Sequence, residues 1–372
     1  MKYTASLLFP LSYLGYVTAS VYSDNANAAI KLLQDKYYNT ATGLWKGPNS
    51  DLWWESGNIV ETIARFGQID GSFRPTALNI IANTYSKAAN QLGATNWKNH
   101  YYDDEGWWAL AWIASYDLTR DTKYLNSAKD IFEDMTGGYT TPCNGGIWWN
   151  KDKVNVNAIA NELFISVAAH LANRVSQSEK QNYVNWAQRT WDWFSQTGII
   201  NGDNLINDGL VLATCKIDGQ TTWSYNQGVI LAGLSELAKA KGDGGYINNA
   251  NTLASASTTK LVDNGILTEP VTGSLTIEGA MFKGAYVRGL ASFNSNAQQQ
   301  KYTDFLKKNA DSAWNKARNS EGLISDYWQG GSSSVSVTTQ ASGIDVLVAA
   351  AAVAGSNGSN NRGNSRGRQF YA

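Results

Sequence analysis

Ala158-Ile159-Ala160-Asn161-Glu162-Leu163-Phe164-Ile165-Ser166-Val167-Ala168-Ala169-His170-Leu171-Ala172 carries apolar side chains over most of a helix circumference. A helix of that kind is buried between neighbours, whereas a surface helix shows one apolar stripe. Outward from it, the pattern is helix after helix. Residues 26–38, 58–66, 76–92, 106–116, 124–135 and 178–194 carry apolar residues at spacings of three and four, as do 228–241, 246–262, 279–293, 303–314 and 339–354. Turn-rich pieces such as Asn201-Gly202-Asp203-Asn204 and Lys241-Gly242-Asp243-Gly244-Gly245 separate them. About a dozen helices at intervals of roughly 28 residues suit repeated helical hairpins. Strand-like alternation is scarce, and 266–277 is the best place for a short hairpin. Two concentric helix layers would bury a segment like 158–172 on all sides. The closed form is an all-α (α/α)6 barrel, with an open helical solenoid as the competing arrangement. No linker divides the chain, so residues 20–354 form one expected domain.

Composition narrows the function. Hydrophobic residues make up 43% of the 372, enough for a substantial core. The chain also holds Trp 15, Tyr 19 and Phe 10, an aromatic load beyond what ordinary core packing demands. Several rings are therefore expected to face a groove, where an aromatic face stacks on the apolar C–H face of a sugar. Net charge is −1 and the charged fraction 16%, with no basic stripe, which argues against nucleic acid as a partner.

The first residues read as an export signal over 1–19. Lys2 gives a positive start, 7–17 an apolar stretch, and Val17-Thr18-Ala19 a small-residue cleavage pattern. A membrane anchor would need about 18 or more uninterrupted apolar residues, and Pro10 and Ser12 interrupt this stretch. Export leads to an oxidising compartment, where Cys143 and Cys215 are expected to pair; two buried free thiols are the alternative. His100 and His170 are the only histidines, and neither cysteine has metal-ligand company, so no protein zinc site is expected. From Gly355 the composition turns to Ser, Asn, Gly and Arg, giving an expected disordered tail over 355–372. That tail lacks the terminal hydrophobic segment of a lipid-anchor signal. Asn357-Gly358-Ser359 within it is a glycosylation sequon.

The segment richest in chemistry is Tyr101-Tyr102-Asp103-Asp104-Glu105-Gly106-Trp107-Trp108-Ala109-Leu110-Ala111-Trp112-Ile113. It sets consecutive acids directly before an aromatic, apolar helix. Asp is a favoured N-cap and acids complement the helix dipole, so capping alone would account for the acids. The catalytic reading rests on geometry. A retaining glycosidase needs two carboxyl groups about 5 Å apart, and neighbouring residues, with Cα atoms about 3.8 Å apart, can aim both into one cavity. Two acids that close resist ionising together, so one keeps its proton. Trp107 and Trp108 would exclude water and strengthen the effect. Glu105 turns away by about 100° per helical residue and stays outside the pair.

The stretch from Asp103 to Trp112 resembles the signature of glycoside hydrolase family 76, the α-1,6-mannanases. Further blocks follow in that family's order: Gly145-Gly146-Ile147-Trp148-Trp149, then Lys153-Val154-Asn155-Val156-Asn157-Ala158, then Trp223-Ser224-Tyr225-Asn226-Gln227-Gly228. After these come Phe282-Lys283-Gly284-Ala285-Tyr286-Val287-Arg288 and Gln340-Ala341-Ser342-Gly343. The resemblance implies an (α/α)6 fold, retention of anomeric configuration, no cofactor, Asp103 as nucleophile and Asp104 as general acid/base. Beside the pair, the expected substrate-binding set is Asp51, Trp54, Trp108, Trp148, Trp149, Asn157, Tyr225, Asn226, Gln227 and Lys283. Each has a structural alternative. The amides of Asn226 and Gln227 can bond sugar hydroxyls or brace a helix start just before Gly228. Trp148 and Trp149 can be sugar platforms or core. Lys283 and Arg288 can serve simply as partners of acids, and His100 as a hydrogen-bonded neighbour of the aspartates.

The expected activity is endo-acting, retaining cleavage of an α-1,6-mannan backbone by a secreted, extracellular or cell-wall monomer. Two alternatives share the site. One is transglycosylation of mannose-containing glycan anchors, with a sugar hydroxyl replacing water in the second step. The other is a mannan-binding protein without catalysis.

Overall fold

The computed structural model describes residues 21–271, 273–331 and 334–356. The expected leader over 1–19, the sequon at Asn357 and nearly all of the expected tail lie outside the described residues. At the C-terminal end helix continues through Ser356, two residues into the segment expected to be tail.

The described residues hold twelve α-helices, α1 (Val21–Tyr37), α2 (Trp54–Ile69), α3 (Arg74–Lys87), α4 (Tyr102–Thr119), α5 (Thr122–Thr136), α6 (Ala158–Ala172), α7 (Gln177–Gln196), α8 (Ser224–Lys241), α9 (Gly245–Lys260), α10 (Phe282–Ala297), α11 (Gln300–Lys316) and α12 (Val337–Ser356). The even-numbered helices form a ring. Each packs on the next, α2 on α4, α4 on α6, α6 on α8, α8 on α10 and α10 on α12, and α12 closes against α2. The odd-numbered helices lie outside, α3 on α2, α5 on α4, α7 on α6, α9 on α8, α11 on α10 and α12, and α1 on α12. This closure excludes the open solenoid.

Sequence explains the two layers. All fifteen residues of α6 are buried, including Glu162 and His170, so the segment that is apolar all round stands in the inner wall. Each of its large aliphatic side chains contributes about 1.5–3 kcal/mol by leaving water. The outer helix α5 buries one face only, Tyr124, Leu125, Ala128, Ile131, Phe132 and Met135 among them. By length and composition α12 could cross a membrane, but it too is an inner-wall helix and is mostly buried. Glycine sets the tightest contact: a Cβ on Gly289 of α10 would fall on the carbonyl oxygen of Gly228 of α8.

Polar clamps hold the ring where it closes. Arg288 of α10 pairs with Asp345 of α12 at 2.6 Å and with Glu61 of α2 at 3.4 Å. It also donates to Asn58, while Thr62 donates to Asp345. Arg288 is thus a partner of acids, one of the two readings its sequence allowed. Between α4, α6 and α8, Arg174 bonds Asp117 at 2.7 Å and Glu236 at 2.8 Å. His170, buried nearby, is held well below its ordinary value, to about 4, chiefly by burial.

Connections alternate in length. Two to four residues join each inner helix to the outer helix that follows, whereas 14 to 27 residues join each outer helix to the next inner one. The short links stand at one end of the barrel; the long ones surround the N-termini of the inner helices at the other. Small antiparallel sheets stiffen this mouth: β1 (Tyr38–Asn39), β2 (Leu44–Lys46) and β3 (Asp51–Leu52), then β4 (Val156–Asn157), β5 (Gly209–Val211) and β6 (Lys216–Ile217). A third is the hairpin β7 (Val262–Asp263) and β8 (Ile266–Leu267), turning on Asn264-Gly265. It shares only Ile266 and Leu267 with the expected 266–277 segment, because the turn falls earlier, at Asn264-Gly265, whose positive φ of 52° and 78° an Asn-Gly hairpin turn requires.

The aromatic load goes largely into packing. Trp45, Trp108, Trp112 and Trp328 are completely buried. Trp53, Trp97, Trp108, Trp112, Tyr85 and Tyr124 form a chain of ring contacts with centroids 4.6–5.7 Å apart. The expected groove-facing rings are therefore fewer than composition suggested. The spaces between two helix layers are wide, and an indole fills them.

Candidate active site

Helix α4 begins at Tyr102, with Tyr101 as its extended N-cap residue. Asp103 and Asp104 thus stand inside the first turn, one step further into the helix than the sequence reading placed them. Apolar periodicity starts only at Gly106 and hides that polar turn. Tyr225, Asn226 and Gln227 are displaced in the same sense, because α8 begins at Ser224 and not near Gly228.

The turn carrying the two aspartates is stitched to the loop before α6. The Tyr102 amide donates to the Trp149 carbonyl at 3.0 Å, and Tyr101 pairs with Asn150 in an isolated bridge. This fixes the indole of Trp149, whose Nε1 donates to Oδ2 of Asp103 at 2.9 Å. The Asp104 amide donates to Oδ1 of Asp103 at 3.0 Å. Asp104 has a different partner: Nδ2 of Asn99 donates to its Oδ2 at 2.7 Å. Both carboxyl groups are half-buried.

Burial raises both aspartates above the ordinary carboxylate range, and the causes separate them. Asp103 is pushed up to about 6 by burial, against the Trp149 N–H and backbone N–H groups that favour its ionised form. Asp104 rises well above its ordinary value, through burial first and then through the charge of Asp103; Glu55 and Glu105 add to the rise and the Asn99 amide opposes it. The pair therefore titrates in two separated steps. In between it holds one proton, with Asp104 the stronger proton holder.

Glu105 points elsewhere. It is completely buried, pairs with Lys151 at 2.8 Å and accepts from the Asn99 amide at 2.9 Å. His100 meets Asp152 at 2.8 Å on the outer side of the same loop.

Across the mouth stands a second group that sequence reasoning missed. Asp208 accepts from Nδ2 of Asn226 at 3.2 Å and from the Tyr225 hydroxyl at 3.5 Å, and its backbone carbonyl accepts from the first amide of α6. Tyr225 stacks on Phe282 with centroids 3.9 Å apart. Burial raises the Tyr225 hydroxyl well above its ordinary value, and the charges of Asp208 and Asp103 add to the rise, which ties the two walls together. Asp208 lies 105 positions from Asp103 in a turn-rich stretch, so no local signal announces it. Asn99 gives none either. Glu162 was legible: it is an acid inside a segment apolar all round, buried with neither oxygen partnered and raised well above its ordinary value by burial.

The expected substrate-binding residues divide. Trp54, Trp149, Asn157 and Tyr225 stand at the inner-helix N-termini with part of their surface exposed. Trp54 lies over Trp107 with centroids 6.1 Å apart. Asp51 is half-buried but accepts from Asn39 and Thr42, bracing the first small sheet. Five others are buried. Trp108 is enclosed by Trp53, Trp97 and Trp112, and Trp148 donates to Thr140 at 3.1 Å. Asn226 holds Asp208, and Gln227 holds the backbone of Ile206 from both ends of its amide. Lys283 donates to the Asp326 carbonyl and lies 4.3 Å from the Trp328 ring centroid; burial lowers it to about 8. Their side chains thus support the mouth from behind. Cys143 and Cys215 are joined, tying the loop before α6 to the loop before α8.

A closed ring of six helical hairpins, with acids gathered at the inner-helix N-termini, is the layout of a class of carbohydrate-active enzymes. The family model for Glycosyl hydrolase family 76 matches residues 20–361, and the chain belongs to that family. Among curated relatives, it is 28% identical over 235 residues to Mannan endo-1,6-alpha-mannosidase DCW1 of Candida albicans, a match covering 58% of this chain and 51% of that protein. A putative mannan endo-1,6-alpha-mannosidase of Schizosaccharomyces pombe is 26% identical, over 58% of this chain and 51% of its own length. The chain thus spans about half the length of the curated relatives it matches. Among solved structures, an inactive variant of the α-1,6-mannanase GH76A of Salegentibacter sp., with two consecutive aspartates replaced by alanine and α-1,6-mannotetrose bound, superposes with a TM-score of 0.78 at 21% identity. That match covers 90% of this chain and 100% of the other. Dfg5 of Chaetomium thermophilum, in complex with glucosamine, gives a TM-score of 0.78 at 19% identity, covering 91% and 92%. These likenesses establish the (α/α)6 fold.

Proposed function

We propose that this protein is an endo-acting, retaining hydrolase of α-1,6-linked mannan, with Asp103 as nucleophile and Asp104 as general acid/base. The observation that carries the reading is the unequal environment of two adjacent carboxyl groups. An indole N–H favours the ionised form of Asp103, while Asp104 rises higher and keeps the pair's remaining proton. In the first step an Asp103 oxygen attacks the anomeric carbon and the Asp104 proton passes to the departing glycosidic oxygen. This leaves a mannosyl ester on Asp103 and a carboxylate at Asp104. In the second step Asp104 takes a proton from water, whose oxygen displaces Asp103 from the same sugar carbon. Two displacements restore the starting configuration. Trp54, Trp149, Asn157 and Tyr225 are placed to contact sugar, by ring stacking or by hydrogen bonds to hydroxyls.

The names of the curated relatives, and the α-1,6-mannotetrose bound by the inactive double-aspartate variant, support the substrate assignment. Action as a monomer outside the cell, on wall mannan, accords with this reading. The test is product analysis of linear α-1,6-mannan incubated with the protein beside an Asp104→Asn control. Short mannooligosaccharides from the unaltered protein alone are expected. Lengthened or transferred chains without net release would instead make the protein a transglycosylase, and binding without any change in the polymer would make it a lectin-like member of the family.

A further inference from the structure

We infer that the groove between the hairpin β7–β8 and helix α11 is a second glycan-binding site, which holds the neutral polysaccharide chain beyond the barrel mouth. The inference rests on the mannanase reading above and adds a site outside the mouth.

The groove is connected to the mouth through three contacts. Tyr225, on the mouth wall, stacks on Phe282. The next residue, Lys283, donates to the carbonyl of Asp326. Tyr327 follows, on the loop between α11 and α12, and it is 42% exposed, the one large aromatic residue that exposed among those described. Its hydroxyl donates to Oδ2 of Asp263 at 3.4 Å, which ties the ring to the hairpin wall of the groove. An exposed phenol ring offers an apolar face on which a pyranose C–H face can stack.

The groove itself is lined by hydrogen-bond donors and acceptors and by charges of both signs. Asp263 and Asn264 come from the hairpin, Asp304, Lys307, Lys308, Asp311 and Asn315 from α11, and Gln329 from the loop. Gln329 donates to the Ile266 carbonyl at 3.4 Å, while its own Oε1 has no hydrogen-bond partner. Lys308 donates to the Asn264 carbonyl at 2.7 Å, fastening the hairpin to α11. Three acids (Asp263, Asp304, Asp311) and three lysines (Lys307, Lys308, Lys316) balance one another in this lining. A phosphate or polyanion site would carry a cationic excess, and an apolar peptide site would lack this density of polar groups. Balanced charge, amides and one exposed ring fit a neutral polyhydroxylated chain. A second foothold of this kind raises the effective concentration of polymer at the mouth without any new contact to the reacting sugar.

The experiment compares polymer with short substrate. In an Asp104→Asn background, Tyr327→Ala should weaken retardation by α-1,6-mannan in native gels roughly fivefold or more, as loss of one aromatic anchor does, while Tyr327→Phe keeps most of it. In the active protein, Tyr327→Ala should raise KM for mannan by a similar factor and leave kcat on α-1,6-mannotetrose within about twofold. Equal retardation of Tyr327→Ala and the parent would overturn the groove and leave the mannanase reading intact. An equal loss on polymer and tetramer would move Tyr327 into the mouth and also overturn it. Failure of the unaltered protein to cut or bind mannan would remove the mannanase reading, and the groove proposal with it.

Discussion

The indole N–H of Trp149 donates to Oδ2 of Asp103 at 2.9 Å, across 46 positions of sequence. A hydrogen bond to the ionised form of a carboxyl group lowers its pKa, so this contact offsets part of the rise that burial imposes on Asp103. Replacement of Trp149 by Phe keeps most of the ring and removes the donor. The acid limb of the kcat/KM profile, expected near pH 6 in the unaltered protein, should move to higher pH, and kcat/KM at pH 5 should fall more than at pH 7. A profile that merely scales down at all pH values would make Trp149 a binding surface alone.

Asp103→Asn should abolish turnover of α-1,6-mannan, because an amide cannot form the mannosyl ester. Asp104→Asn should lower kcat by about 10²–10⁴, the usual range for loss of a general acid/base, and a substrate with a good leaving group should recover the first step. Near-normal activity of Asp103→Asn on the polymer would exclude the two-carboxylate mechanism.

Glu55, buried in the first turn of α2, is raised to about 7, chiefly by burial, and its charge helps hold the proton on Asp104. Glu55→Gln removes that charge, so the alkaline limb of the pH–rate profile should shift to lower pH. Stability should respond in a defined direction. An acid whose folded pKa exceeds its unfolded one stabilises the fold at low pH and loses that contribution as pH rises through the folded value. Relative to the unaltered protein, Glu55→Gln should therefore gain Tm between pH 5 and pH 8. A Tm difference independent of pH would mean that Glu55 does not titrate in this window.

Arg288 ties α10 to α2 and α12 where the ring closes. Arg288→Met leaves Asp345 buried without its cation and Glu61 with Arg65 alone, a loss that costs about 3–5 kcal/mol when a buried pair is broken. Denaturant unfolding should show it as a lower midpoint. Asp345→Asn alone should cost less, because Glu61 remains as a partner for the guanidinium.

Cys143 and Cys215 link two mouth loops across 72 positions. A double Cys→Ser variant should lose about 2–4 kcal/mol of stability, the usual range for a disulfide. Thermal unfolding of the unaltered protein with and without reductant should reproduce the difference, and identical midpoints would show that the loops are held by packing alone.

The chain's periodicity determined the approximate number of helices and their order, and it marked 158–172 as a helix of the inner layer, because burial on all sides demands an apolar circumference and 158–172 meets it. Consecutive carboxyl groups are likewise a covalent fact, and Asp103 and Asp104 share one site in any fold that keeps the first turn of α4. The ring's closure is a tertiary result: α12 meets α2 there, and Arg288 reaches Glu61 and Asp345, residues far apart in sequence. The partners that make the two aspartates unequal also come from folding. Asn99 and Trp149 reach them from different loops, and Asp208 faces them from a third; nothing in the local sequence of Asn99 or Asp208 marks its destination. Trp108, Trp148, Asn226, Gln227 and Lys283 read as well for sugar binding as for support, because an indole or an amide serves either purpose. Only the packing of two helix layers decides which of the expected side chains are enclosed and which reach the mouth.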